Sequence, residues 1–327
     1  MNDRNETSSP DTIILRGLQS EEYEHPFDKQ ALNALEGTPG LETLIRKFNQ
    51  NGIEKIFKVQ CTGSNIKVSS KNLPDLDNVI KTVCKTIHLR DVPELYIEQG
   101  DEINACTIGS ENPIVIIKQG CIEKLSTDEL LFIIGHEIGH IKSQHCLYHL
   151  LASVFPIIGD IVGAATLGIG SLISKPIEIA LLNWQRKSEF TADRAGLLAC
   201  QKIEAAITTM MKIAGTPVTH YNSLNPMHFL EQAREFQGFD DNSMNKLMKA
   251  ISAMGSTHPW TVMRCAEMQK WIESGYYRKI LLNHSQSVTT NTSSEKSAEN
   301  ENLILCIQCE KKIRRDSKFC IHCGSKR

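Results

Sequence analysis

The sequence predicts an α+β chain, mainly helical with a small antiparallel or mixed sheet, and a separate cysteine-rich module at its C-terminal end. Three observations predict this. Apolar residues recur at helical spacing through most of residues 25–277, as in Leu41, Leu44, Ile45 and Phe48. Two short strand-like runs, 93–97 and the β-branched 113–117, stand just ahead of a long apolar helix. Four cysteines fall as two C-x2-C pairs, beyond a Ser/Thr/Asn/Glu-rich stretch, 284–302, that has no apolar pattern.

In chain order, the polar residues 1–12 read as disordered, within a disordered or extended N-terminal segment 1–24. Residues 25–60 read as helices with breaks at Thr38-Pro39-Gly40 and Asn51-Gly52. Residues 56–69, loosely alternating around Cys61-Thr62-Gly63-Ser64-Asn65, read as a hairpin. Residues 75–88 form an amphipathic helix through Leu76, Val79, Ile80, Val83 and Ile87. Between the two strand candidates sits Asn104-Ala105-Cys106-Thr107-Ile108-Gly109. Residues 147–182 are a long apolar stretch broken by Pro156, Pro176 and several glycines; a further helix follows at 184–196. The organisation predicted is a main domain over 25–280 with 147–182 as an apolar helical-hairpin insertion, a flexible linker 281–302, and a module over 303–327.

With 327 residues, 41% hydrophobic and 23% charged, the composition is that of a globular protein. The net charge of −2 gives no global pull toward nucleic acid or acidic membranes. The polar, acidic N-terminus lacks a signal-peptide pattern. Seven of the eleven cysteines are scattered among apolar neighbours, which fits buried free thiols in a reducing compartment. The expected location is cytoplasmic, with peripheral contact at the cytoplasmic membrane face as an option.

The centre of the chain is Gly135-His136-Glu137-Ile138-Gly139-His140-Ile141, an H-E-x-x-H pattern in a helix opened by a Ser126/Glu129 capping box. His136 and His140 are one turn apart on one face, where two imidazoles can grip one zinc ion. Glu137 lies about 100° around the helix, beside such an ion rather than on it, where its carboxylate can take a proton from a bound water. An exposed helix with two surface histidines is the alternative. Leu130, Leu131, Phe132, Ile133, Ile134, Ile138 and Ile141 oppose it, because they bury the helix. A catalytic zinc needs a third protein ligand. Glu189 is the best candidate, and Asp193, one turn on, can fix the tautomer of a ligand histidine. An exposed E-x-x-x-D face explains that pair as well. If the helix continued past 142, His145 and His149 would fall about 180° and 220° from His136, facing away from the metal.

H-E-I-G-H-I-K-S-x-H, then R-K-S-E-F-T-A-D-R-A-G, then T-H-P-W-T-V-M-R resembles the HtpX-like and CAAX prenyl protease-type zinc metallopeptidases, over roughly residues 25–275. The resemblance implies a zincin-type metallopeptidase domain in which His136, His140 and Glu189 hold a catalytic zinc and Glu137 is the general base. It marks Asn104 and Ala105 as the start of a substrate-binding strand; Cys106 stands where family members often carry an aromatic residue. His258 and Arg264 match its H-P-x-x-x-x-R element. His258 can donate to the oxyanion or occupy the fourth zinc position, and Arg264 can hold the loop or a nearby carboxylate. An extended peptide can add to the edge strand after Asn104 through backbone hydrogen bonds, so flexible or misfolded segments are the expected substrates.

The run from Leu150 to Ile173 is apolar enough to be scored as membrane-spanning. A single crossing would put His140 and Glu189 on opposite sides of the bilayer. A hairpin packed over the catalytic core is expected, or one dipping into the cytoplasmic leaflet beside Lys142, Lys175, Arg186 and Lys187. Cys306, Cys309, Cys320 and Cys323 have the spacing of a zinc ribbon with a structural zinc, with His322 as a competing ligand. Its basic residues suit an acidic protein partner, a membrane surface or nucleic acid; nucleic acid is the least expected partner. Two zinc ions per chain are therefore expected, one catalytic and one structural. Against the endopeptidase reading stand a slow-cutting chaperone or binding protein with His258 closing the zinc, and a regulator acting through the ribbon.

Overall fold

A computed structural model describes residues 12–50, 53–110, 112–154, 169–238, 258–286, 303–315, 317–320, 323 and 325. The expected disorder of residues 1–11, the tip of the apolar insertion at 155–168, most of the linker and His322 lie outside the described residues.

The chain enters along the core. Leu15, Leu18 and Tyr23 are fully buried, and Leu15 N donates to Thr86 O at 2.8 Å. Helices Pro26–Glu36, Leu41–Gln50 and Ile53–Ser64 follow, the first break falling where Pro39-Gly40 predicts; Asn51-Gly52, the second predicted break, lies outside the described residues. The first opens with proline at its first turn, and His25 Nδ1 accepts from Phe27 N. The hairpin expected over 56–69 does not form. Helix Ile53–Ser64 runs through Thr62-Gly63 and yields only at Asn65 to the two-residue strand β1, Ile66–Lys67. Phe57 and Cys61, one turn apart, both pack inward, and that helical stripe overrides the local turn residues.

Helix Pro74–Thr86 leads to β2 (Glu94–Glu98), β3 (Ala105–Ile108) and β4 (Ile114–Lys118). The sheet order is β1-β2-β4-β3; β2 and β4 are parallel and the outer pairs antiparallel, so the sheet is mixed. Its buried centre is Leu95, Val115 and Ile117. After the short helix Gln119–Lys124 comes the motif helix Thr127–Lys142, which packs across the sheet against helix Pro74–Thr86.

Pro176, read as a break, lies inside one long helix, Ile169–Cys200. It costs one backbone donor near the helix start, where Lys175 and Pro176 are exposed; the buried half from Leu181 to Cys200 carries the helix. Helices Ile203–Ile213, Pro226–Gly238, Thr261–Glu273 and Tyr276–Gln286 complete the domain, the last running past the 281 boundary read from composition. No helix among the described residues is long and apolar enough to cross a membrane. The C-terminal module has a two-stranded sheet, β5 (Leu303–Leu305) antiparallel to β6 (Lys312–Arg314).

Candidate metal centre and active site

The motif helix starts as its sequence demands. Ser126 Oγ accepts from Glu129 N, and Glu129 Oε2 accepts from Ser126 N at 2.7 Å. It then crosses the long helix on its smallest residues. A Cβ on Gly135 would stand 2.4 Å from Ala199 Cβ, and one on Gly139 would stand 2.5 Å from Ala195 Cβ. The two glycines of G-H-E-I-G-H therefore let the helices approach closely enough for Glu189 and Asp193 to reach the histidines.

They do reach them. His136 Nε2 and His140 Nε2 are 3.2 Å apart, and they lie 3.4 and 3.5 Å from the two oxygens of Glu189. All three residues are buried, and their donor atoms fall within 4.8 Å of one another. Glu189 Oε2 has no hydrogen-bond donor among the described residues. Two imidazoles and a carboxylate, buried and converging with an unsatisfied oxygen, suit a borderline cation such as zinc. The exposed-face alternative for Glu189 and Asp193 falls, since both are 1% exposed. Burial alone would raise the Glu189 carboxyl, but the histidines hold it well below the usual range. Burial pulls both histidines down. It prevails at His140, lowered to about 4, whereas the facing carboxylates of Asp193 and Glu189 lift His136 to about 9.

Asp193 Oδ1 lies 3.0 Å from His136 Nδ1, on the ring edge opposite the ligand nitrogen. Arg264 grips the same carboxylate with two hydrogen bonds, Nε to Oδ2 at 2.9 Å and Nη2 to Oδ1 at 2.5 Å. Arg264 is buried, and its guanidinium Nη1 is 3.8 Å from Glu189. His258 is half-exposed at the rim, with Nε2 3.8 Å from Glu189 Oε2.

Glu137 is buried one residue off the ligand face, and burial raises its carboxyl pKa, against the pull of His136 and Thr107. Thr107 Oγ1 donates to its Oε2 at 2.7 Å. Thr107 belongs to β3, an edge strand that pairs only with β4 among the described strands. Ala105 and Cys106 lie in β3 opposite Ile117 and Ile116, and Asn104 O accepts from Lys118 N just before it. Ala105 and Thr107 share one face of the strand; Cys106, on the other, is exposed. Sequence reasoning missed Thr107: a lone threonine beside the named triplet carries no signal of its own.

His145 and His149 do not face away. The motif helix ends at Lys142, and Gln144 takes a positive φ of 59°, turning the chain back beneath the site. His145 Nδ1 comes to 3.0 Å from His140 Nδ1, and the His149 ring packs on the His140 ring at 4.5 Å between centroids. The extrapolated angles failed because the helix they assumed stops first.

The four ribbon cysteines also converge, with Sγ–Sγ distances of 3.7 Å for Cys306–Cys323 and 3.6 Å for Cys309–Cys320. The ribbon is not isolated. Ile313, Phe319 and two of the cysteines join the apolar cluster of Leu35, Leu41, Tyr148 and Trp184, and Lys318 N donates to Glu36 Oε2 at 3.2 Å.

Residues 70–272, which hold the H-E-x-x-H motif, Glu189, Asp193 and Arg264, match the peptidase family M48. The chain is 29% identical over 272 residues to the plastoglobule-localized metallopeptidase 48, chloroplastic, of Arabidopsis thaliana, covering 82% of this chain and 77% of that one. It is 26% identical over 233 residues to a protease HtpX homolog of Gemmatimonas aurantiaca and 25% identical over 237 to one of Thermodesulfovibrio yellowstonii, each covering 62% of this chain and 77% of the relative. No solved structure matches. The match over most of the chain, on a buried His-Glu-His-Glu constellation built for a metal, makes this chain a member of the M48 family of HtpX-like zinc metallopeptidases.

Proposed function

We propose that the chain is an endopeptidase that cuts extended or misfolded protein segments, with His136, His140 and Glu189 holding zinc and Glu137 as general base. When bound, zinc supplies Lewis acidity that acidifies a water and polarises the scissile carbonyl. Glu137 takes the water proton and passes it to the leaving amine; its buried, raised carboxyl suits both transfers. Thr107 holds that carboxylate, and its strand β3 offers an edge unpaired among the described strands, on which a peptide backbone can lie, beginning at Asn104, Ala105 and Cys106. Asp193, clamped by Arg264, keeps His136 in its ligand tautomer. The observation that carries the reading is the contact between Thr107 of an open edge strand and Glu137 of the motif helix, which puts the base beside the place where a substrate strand would add. Cleavage of casein that stops with chelator and returns with zinc is the expected result; no cleavage by the zinc-loaded chain would sink it.

The position of His258, 3.8 Å from Glu189, favours a second reading in which it closes the site at rest. His258→Ala decides. A faster variant supports closure and a slow-cutting binding protein; a slower one supports an oxyanion donor.

We further propose a peptidase domain over 25–280 with a cytoplasmic location, a ribbon with its own structural zinc that meets a protein partner, and peripheral membrane contact through 147–182. The name of the Arabidopsis relative places that protein at plastoglobules, which gives the membrane option its interest. Retention of the chain after a carbonate wash would remove the peripheral reading.

A further inference from the structure

The zinc ligand His136 has its outer nitrogen held by a carboxylate, Asp193, as the sequence suggested. The matching question for His140 has an answer in the last histidine of H-E-I-G-H-I-K-S-x-H, His145, to which the sequence alone gives no role. His140 must present Nε2 to the metal, so its proton sits on Nδ1. That Nδ1 faces His145 Nδ1 at 3.0 Å, both rings buried. His145 must therefore accept there, which puts its own proton on Nε2. Nε2 lies 3.1 Å from Asp28 Oδ2, a charge contact that is bent away from an ideal hydrogen-bond line. Asp28 is fully buried and is fixed from the long helix: Trp184 Nε1 donates to Oδ1 at 2.9 Å, and Thr191 Oγ1 donates to Oδ2 at 2.6 Å.

We propose that His145, oriented by Asp28, is a positioning residue that fixes the ligand tautomer of His140 through an Asp28–His145–His140 chain. The proposal rests on the zinc reading of His136, His140 and Glu189. The chain is the carboxylate–histidine–metal arrangement lengthened by one imidazole. It also ties the helix Pro26–Glu36, which carries Asp28, to the metal. His140, His145 and His149 do not form a further metal site, because His149 Nε2 is engaged with Ser188 Oγ at 2.8 Å and His140 Nδ1 with His145.

The test uses the full zinc-loaded chain. Nitrogen-15 labelling of its histidines reads the ring protons directly and needs no variant. The expected pattern is His140 protonated at Nδ1 and His145 at Nε2; a proton on His145 Nδ1 overturns the proposal. Metal affinity is then measured by chelator competition with Co2+, whose thiolate absorption separates the cysteine cluster from the histidine site. His145→Leu removes the acceptor and is expected to weaken the histidine site about ten- to a hundredfold. His145→Asn returns an oxygen near the Nδ1 position and is expected to recover most of the loss. Asp28→Asn turns an acceptor into a donor toward Nε2, forces the wrong tautomer on His145, and is expected to weaken the site similarly. Equal affinity of the leucine variant and wild type overturns the inference, as does an equal loss in the leucine and asparagine variants, which marks a packing role. A third metal equivalent per chain also overturns it. If wild type holds no metal at His136, His140 and Glu189, the zinc reading fails with it.

Discussion

At the peptidase centre, the donors come from two helices far apart in sequence, all are buried, and the outer atoms of both histidines are engaged by further buried groups. At the ribbon, four cysteines come from two knuckles within residues 306–323, two of them half-buried, and the module's own core, Ile313 and Phe319, packs onto the cluster around Leu35 and Tyr148. The first site is held open by a folded domain and can leave a metal position for chemistry. The second brings four sulfur donors together on two short knuckles, which fits a closed structural site. The difference teaches that ligand count alone does not separate a catalytic from a structural centre; what surrounds the ligands does.

The largest effect expected from breaking this contrast is at Glu189. Glu189→Ala should abolish cleavage and lower metal content by one equivalent while thermal unfolding stays cooperative, because the domain does not depend on that ion. A collapse of folding would make the two centres alike. Glu137→Gln separates chemistry from binding: kcat should fall by about 10²–10⁴ with the metal content unchanged. Loss of zinc from that variant, measured by elemental analysis, would make Glu137 a ligand.

The helix crossing sharpens the same point. Gly139→Ala must push Ala195 away and should cost about 1–3 kcal/mol of stability together with metal affinity. Gly63→Ala, in open space on helix Ile53–Ser64, should be neutral or stabilising by up to about 1 kcal/mol. Paired denaturant titrations check both. The smallest effect is at the ribbon. Removal of residues 284–327 should leave a folded peptidase domain that still cuts a small substrate. It should nevertheless lose about 2 kcal/mol of stability, because Phe319 and its neighbours cover part of the cluster around Leu35 and Tyr148. An unchanged denaturation midpoint would mean that the ribbon contact contributes nothing.

What could be read from the sequence follows from distance along the chain. His136, Glu137 and His140 share one helical turn, and the cysteine pairs are two residues apart, so periodicity alone exposes them. Glu189 and Asp193 stayed ambiguous because an E-x-x-x-D face is common; only burial beneath the motif helix removes the alternative. Thr107 and Asp28 carry no local pattern, and their roles exist only through contacts at Glu137 and His145. His145 was misplaced because the helix end at Lys142 and the positive φ at Gln144 break the angular count. At 56–69 the turn residues from Thr62 to Asn65 predict a hairpin, but the inward stripe of Phe57 and Cys61 decides for helix.

The close crossing of the two ligand-bearing helices has a consequence for the growing chain. Asp193 lies 57 residues after His136, and Arg264 lies 128 after it. A nascent polypeptide thus displays the H-E-x-x-H helix well before Glu189, Asp193 and Arg264, which meet it in the folded chain, exist. Since domains fold as they emerge, the two histidines wait unassembled through much of synthesis. In the proposed ligand set, the third donor, Glu189, and its neighbour's brace, Arg264, emerge only well after the two histidines they serve.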